Sequence, residues 1–205
     1  MSERSPVLSP FWRNQLRQWH WISSALCLIA LLLFSVTGFT LNHAAQISAR
    51  PKTTHVEKDL PATDAALIAQ AKDGQPLPAG LRAAVKALTG VAAGKAKAQV
   101  SDGEIYVDLT TPGVDNALTI EDDGHVTWER TDRGLIAVLN DLHKGRHAGP
   151  VWSLFIDLIA IACVVFAVTG LGLLWLYEKH RRVTWPLVAF GALLPFIIFM
   201  LFVHS

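Results

Sequence analysis

Three long apolar runs constrain this 205-residue chain more than any other feature. The first is Ile22 to Leu41, the second Val151 to Tyr177 with Asp157 as its only charge, and the third Trp185 to Val203. At ~1.5 Å of rise per residue, each is long enough to cross roughly 30 Å of hydrocarbon as a helix. A basic N-terminus followed by an apolar run also fits a secretory signal. The run exceeds the roughly 7–15 residues usual there, so a retained span is expected. Pro186 suits the first turn of the third helix, and Pro195 can kink it without forbidding it.

Basic residues orient the spans. Arg4, Arg13 and Arg17 precede the first, and Lys179, Arg181 and Arg182 fill the short loop between the second and third. The region from Ala44 to Pro150 carries 12 Lys and Arg against 14 Asp and Glu, a net charge of −2. The positive-inside rule then places the N-terminus in the cytoplasm, with the middle region and the C-terminus outside. Trp19, Trp21, Trp152, Trp175 and Trp185 fall at span ends, where an aromatic belt belongs. A formal charge of +1 over the whole chain implies no nucleic-acid surface. Cys27 and Cys163 lie inside apolar runs, where a packing role is expected, and the absence of CxxCH excludes ordinary covalent c-type haem attachment.

The organisation read from these patterns is a cytoplasmic segment 1–18, a first span 19–43, an outer domain 44–130, an amphipathic interfacial helix 131–147, a second span 150–177, a cytoplasmic loop 178–183 and a third span 184–204. Within the outer domain, residues 50–61 read as a linker. Two helices are expected next, over 62–71 with Thr63 as N-cap and over 79–88 ended by Gly90. Asp102-Gly103 and Asp122-Asp123-Gly124 mark hairpin turns between strands at 98–100 and 105–109, and at 117–121 and 125–129. The fold class expected is therefore a membrane α-helical protein of three transmembrane helices with an inserted α+β domain of two helices and a four-stranded antiparallel sheet. The domain shows no phosphate loop, dinucleotide fingerprint or nucleophile–histidine grouping, and no catalytic residue is assigned.

Six of the eight histidines sit at span ends: His20, His43, His143, His147, His180 and His204. His55 and His125 belong to the outer domain, where a solvated surface role is expected. Along a helix, 23 residues separate His20 from His43, roughly 35 Å of rise, which puts them at opposite faces of the membrane. Depth sorts the rest into an outer group of His43, His143 and His147 and an inner pair of His20 and His180. Paired imidazoles on facing apolar helices can hold b-type haem, and two such haems would form an electron path across the bilayer. Two other readings stand beside this one: histidines as interfacial anchors, and a divalent metal at His143 and His147, spaced i and i+4 but interrupted by Gly145.

Span one contains Phe34-Ser-Val-Thr-Gly38 and span two contains Phe166-Ala-Val-Thr-Gly170. Small residues let a helix or a flat cofactor approach the backbone, and Thr can bond a carbonyl of its own helix, so Gly38 and Gly170 fit packing and cofactor equally well. Asp157 is costly in lipid unless paired or wetted, with Arg146 or an outer histidine as expected partner.

Gln18-Trp-His-Trp-Ile-Ser23, Val36-Thr-Gly-Phe-Thr-Leu-Asn-His43, Asn140-Asp-Leu-His-Lys-Gly-Arg146 and Val168-Thr-Gly170 resemble the PepSY-associated transmembrane helix proteins over nearly the whole chain. Larger members of that family are bacterial inner-membrane proteins with a periplasmic PepSY module, some reducing ferric siderophores through histidine-held b haems. The resemblance implies His20, His43 and His143 as haem-iron ligands, with weaker support for His147 and His180. It implies one or two haems and iron reduction in the periplasm. With fewer helices than those reductases, the chain would hold a single haem or complete the bundle as a homodimer. No flavin or nicotinamide site is present, so a quinol or a separate reductase must supply electrons. The competing reading is a non-catalytic membrane anchor whose PepSY-like domain binds a protein or peptide for regulation or assembly.

Overall fold

The computed structural model describes residues 8–47, 50–177 and 182–204. The chain divides into two compact units, Met1–Leu32 with Asp157–Ser205, and Leu33–Ile156. Among the described residues, three helices are long and apolar enough to cross a membrane: α1 (Pro10–Asn42), α4 (Gly149–Tyr177), and α5 (Thr184–Ile198) extended by a π-helical turn at Phe199–Val203. Large apolar side chains cover their outer surfaces, among them Leu26, Ile29, Leu158, Ile161 and Phe190. So much exposed hydrocarbon is unfavourable in water and natural in lipid. Pro195 lies inside α5 and has no N–H to give, and the helix widens to the π turn four residues later.

In the first unit, Ser23, Cys27 and Ala30 are the buried residues of α1, spaced four and three apart on one face. Thr169 is the buried residue of α4. Small side chains on such a seam let helices approach closely, and contact between backbones replaces the hydrophobic drive that lipid removes.

The second unit contains the α+β domain inserted between α1 and α4. Its sheet has five strands, β1 (Lys52–Asp59), β2 (Ala98–Ser101), β3 (Glu104–Asp108), β4 (Val114–Glu121) and β5 (His125–Asp132), in the order β1-β5-β4-β3-β2. All neighbours are antiparallel. Alternation builds the core: Ile105, Val107, Leu118, Ile120 and Val126 point to one face, under Ile68, Leu81 and Val85. The opposite face carries His55, Glu57 and Asp59 of β1 and their partners Glu129, Thr127 and His125 of β5. The β2–β3 turn places Asp102 and Gly103 at φ 49 and 82, the left-handed pair that a two-residue hairpin requires.

Three expectations are corrected here. The sheet expected to have four strands has five, and the segment 50–61 is not a linker, because Lys52–Asp59 is a strand paired over its full length with β5. The helix expected over 62–71 is a short 3₁₀ helix, Ala65–Gln70, and Thr63 does not cap it; Asp64 stands at its N-cap without a side-chain bond. Six residues suffice to bury Ile68 and no more. α2 (Ala79–Thr89) forms as expected and ends at Gly90 with φ 80. The amphipathic segment 131–147 contains a ten-residue helix, α3 (Leu135–Lys144), because Thr131 and Asp132 belong to β5 and Gly145 closes the helix in the left-handed conformation.

Candidate functional site

The repeated Phe-x-Val-Thr-Gly segments are matching seats for two histidines, one in each unit. In the first unit, the His20 ring stacks on Phe166 at a centroid distance of 4.8 Å and an interplanar angle of 16°. Its Nδ1 lies 3.1 Å from Thr169 Oγ1 and 3.2 Å from the Phe166 carbonyl oxygen. A Cβ on Gly170 would stand 3.2 Å from His20 Cε1, so glycine makes room for the ring.

In the second unit, His143 of α3 makes the corresponding set on α1. Its ring lies 5.2 Å from Phe34, its Nδ1 is 2.7 Å from Thr37 Oγ1, and a Cβ on Gly38 would stand 3.4 Å from its Cε1. Helical order explains the grouping, since Phe and Thr three apart and the following Gly share one face.

Both threonine hydroxyls also bond within their own helix: Thr169 Oγ1 lies 2.6 Å from the carbonyl oxygen of Val165, and Thr37 Oγ1 lies 2.9 Å from that of Leu33. Each Oγ1 keeps lone pairs that can accept an Nδ1–H. The Phe166 carbonyl beside His20 Nδ1 is an acceptor and favours a proton there. A proton on Nδ1 leaves the lone pair on Nε2, the arrangement of a metal-ligating imidazole whose other nitrogen is tied back.

His43 reaches the same state by another route. It donates Nδ1–H to the Phe39 carbonyl at 2.9 Å and packs on the Phe39 ring at 4.3 Å. It lies just past the end of α1, six residues beyond Thr37, which is about 120° around the helix from that seat.

The outer group expected from depth is therefore not a single cluster. His147 is exposed, with φ 54, beyond the Gly145 cap. α3 ends at Lys144, so His143 and His147 do not share a helical face and the i, i+4 metal pair is not formed. Among the described residues, no group of three or more His, Cys, Asp or Glu could hold a metal ion. His180 lies outside the described residues. Asp157 is exposed on α4. His204 stacks on Phe199 at 5.9 Å. His55 and His125 pair on the sheet with Glu57 and Asp59, at 2.7 and 2.8 Å.

Residues that sequence reasoning passed over hold His143 in place. Asp141, two positions before it, is buried and accepts from the Gly113 amide at 2.9 Å and from Arg133 Nη2 at 2.6 Å. Arg133 Nε also lies 3.0 Å from Asp115. Thr40 of α1 donates to Asn140 at 3.3 Å, and Trp152 Nε1 donates to the Leu142 carbonyl at 2.8 Å. Each residue of Asn140-Asp141-Leu142-His143 thus makes a separate tie to the sheet end, to α1 or to the start of α4. The signal was present in the Asn-Asp-Leu-His run, but its partners come from distant parts of the chain.

Beside the His20 seat, a cleft of about 300 Å³ is lined by Phe11, Trp12, Gln15, Leu16, Trp19 and Thr169. It is aromatic and apolar, with Gln15 and Thr169 as its polar groups.

The sequence matches the family described as PepSY_TM-like over residues 11–204. Comparison with curated proteins finds no match, and neither does comparison with solved structures. A match over nearly the whole chain, apolar helices and inserted domain together, places this protein in the PepSY_TM-like family.

Proposed function

We propose that the protein is a b-type haem carrier of the bacterial inner membrane, passing electrons to a periplasmic acceptor of the ferric-chelate class. The observation that carries this reading is the common geometry of His20, His43 and His143. In all three, Nδ1 lies within hydrogen-bond distance of an oxygen, which makes Nε2 the nitrogen able to ligate. These are the histidines that the family resemblance singles out. The donor set suits haem iron, since imidazole Nε2 among apolar and aromatic side chains is the ordinary axial ligand of a b haem. Bound there, haem supplies one-electron chemistry; the protein positions the ligands, keeps water from the rings and sets their basicity. The cleft of Phe11, Trp12, Gln15, Leu16 and Trp19 suits the flat headgroup of a quinol as electron donor.

Orientation in this reading follows the charges. Arg13 and Arg17 flank the start of α1 and Arg182 precedes α5, so these ends face the cytoplasm. The test is the visible spectrum of protein purified in mild detergent after expression with ample haem. A Soret band with sharp reduced α and β bands, diminished in His20→Ala or His143→Ala, is expected. A colourless protein refutes the reading. Cysteine placed at the exposed Lys95 should react with an impermeant maleimide from the periplasmic side, and reaction from the cytoplasmic side alone reverses the topology.

A second reading has one observation in its favour. The open sheet face presents Glu57, Asp59, Glu121 and Glu129 together. A basic segment of a partner protein would complement that face, and such a protein would be colourless.

A further inference from the structure

We infer that Thr37 and Thr169 are positioning residues: each hydroxyl fixes the Nδ1–H tautomer of the histidine seated on it and thereby presents the Nε2 lone pair for ligation. The inference deepens the haem reading and rests on it for its redox consequence, but not for the tautomer itself.

Three facts carry it. The two threonines stand in the same five-residue context on different helices and receive histidines from different elements, His20 from α1 and His143 from α3. Both hydroxyls already donate within their own helix, with second carbonyls at 3.1 and 3.2 Å sharing the proton. With its one proton held by its own helix, each hydroxyl offers the imidazole a lone pair. Finally, a glycine follows each threonine under Cε1, the carbon between the two ring nitrogens, so the ring settles deeply enough for Nδ1 to reach Oγ1. Valine has the shape of threonine and lacks the acceptor. Serine keeps the acceptor and loses the methyl.

The two seats are not equal. His143 has Thr37 Oγ1 as its Nδ1 partner, whereas His20 divides its proton between Thr169 Oγ1 and the Phe166 carbonyl. Loss of the hydroxyl therefore acts more strongly on His143. A hydrogen bond of ordinary net strength changes a tautomer ratio about fivefold. For a loaded site, loss of such a partner typically weakens metal affinity by about 10–100-fold. It also raises the reduction potential, because a less basic imidazole stabilises ferric iron less.

The experiment has one arm without haem and one with it. Protein labelled with ¹⁵N-histidine, prepared haem-free in detergent above pH 8, is assigned by its His→Gln variants, and each ring's tautomer is read from nitrogen chemical shifts. Nδ1–H is expected at His20 and His143. Thr37→Val should shift His143 toward Nε2–H, Thr169→Val should shift His20 less, and Thr37→Ser should restore the wild-type ratio. Nε2–H at both rings in the wild type, or no response to either valine, overturns the inference. In the haem arm, each valine variant should raise the midpoint potential of one site and leave the other unchanged. Unchanged potentials in a protein that holds haem also overturn the redox part. A colourless protein with Nδ1–H tautomers that respond to valine refutes the haem function and upholds the positioning role.

Discussion

Replacing Gly113 by alanine should loosen the grip of the sheet on α3, and with it the seat of His143. Gly113 has φ 78, and a Cβ there would meet the Val138 side chain and stand 2.9 Å from the Val138 backbone nitrogen. That nitrogen donates to the Gly134 carbonyl in the first turn of α3, so it cannot move aside without opening the helix. The left-handed backbone costs a non-glycine residue about 1–2 kcal/mol, and overpacking against fixed atoms adds about 1–3 kcal/mol. A total of about 2–5 kcal/mol follows. At about 4–8 °C per kcal/mol for a domain of this size, the inserted domain should melt at least about 8 °C lower. Thermal unfolding of the full chain in detergent, followed by far-ultraviolet circular dichroism, gives the shift. Hydrogen exchange at the Gly113 amide, which donates to Asp141, should accelerate at the same time. A variant that melts within 2 °C of the parent with the Gly113 amide still protected would show that α3 does not bear on this turn, and the reasoning fails.

Asp141→Ala leaves the Gly113 amide and the Arg133 guanidinium without their acceptor. Breaking a buried pair costs about 3–5 kcal/mol; with Arg133 at 33% exposure, water recovers part, and about 2–3 kcal/mol is expected in denaturant unfolding of the full chain. Gly170→Ala should disturb the His20 seat more than Gly38→Ala disturbs that of His143, since the added methyl would stand at 3.2 rather than 3.4 Å; nitrogen shifts of the two rings report the order, and equal or inverted effects count against the seat geometry. On the sheet, the hydrogen bond to Asp59 holds the His125 pKa above the ordinary 6.5. The pair therefore ties β1 to β5 fully below about pH 6.5, and the tie fades as pH rises through the elevated value. A proton NMR titration of His125 should show a midpoint above 6.5 that falls in Asp59→Asn. The adjacent hydrogen bond and charge of His55 act oppositely on Glu57, whose pKa is held below 4.5, so that contribution is lost only as the solution turns acid through the lowered value.

The membrane helices were legible because twenty apolar residues leave few alternatives, and the hairpins because Asp-Gly pairs dictate their own turns. β1 was not. Lys52-Thr-Thr-His-Val-Glu-Lys-Asp59 buries no residue, so no alternation marks it, and only the paired edge of β5 gives it a place. Its charges are what an edge strand needs to resist pairing with another copy. The segment 62–71 misled through its Ala and Leu content, which signals helix whether or not there is room for one. Among the histidines, spacing gave depth and could not give azimuth. His43 and His143 lie at comparable predicted depth, yet the first packs on the Phe39 of its own helix and the second on Phe34 and Thr37. The repeat Phe-x-Val-Thr-Gly was visible as small-residue packing. That each copy would accept a histidine from another element depends on tertiary contacts that no local pattern records.

The two seats differ in what holds them, and this assigns a task to the inserted sheet domain. His20 is carried on α1 and seated on α4, two membrane helices, so its position needs nothing beyond their packing. His143 is carried on α3, a ten-residue helix too short to be stable alone. α3 is fixed by Asp141 to Gly113 and Arg133, by Asn140 to Thr40, and by Leu142 to Trp152. Gly113 and Arg133 sit where β4 begins and β5 ends, and the Arg133 amide donates to the Gly113 carbonyl at 2.8 Å. Order in the sheet and the position of the His143 ring are thus set by one buried network. Strain at the β4–β5 end would therefore bear on α3 through Asp141, two residues before the imidazole. The inserted sheet domain is thereby the support of the short helix that carries His143.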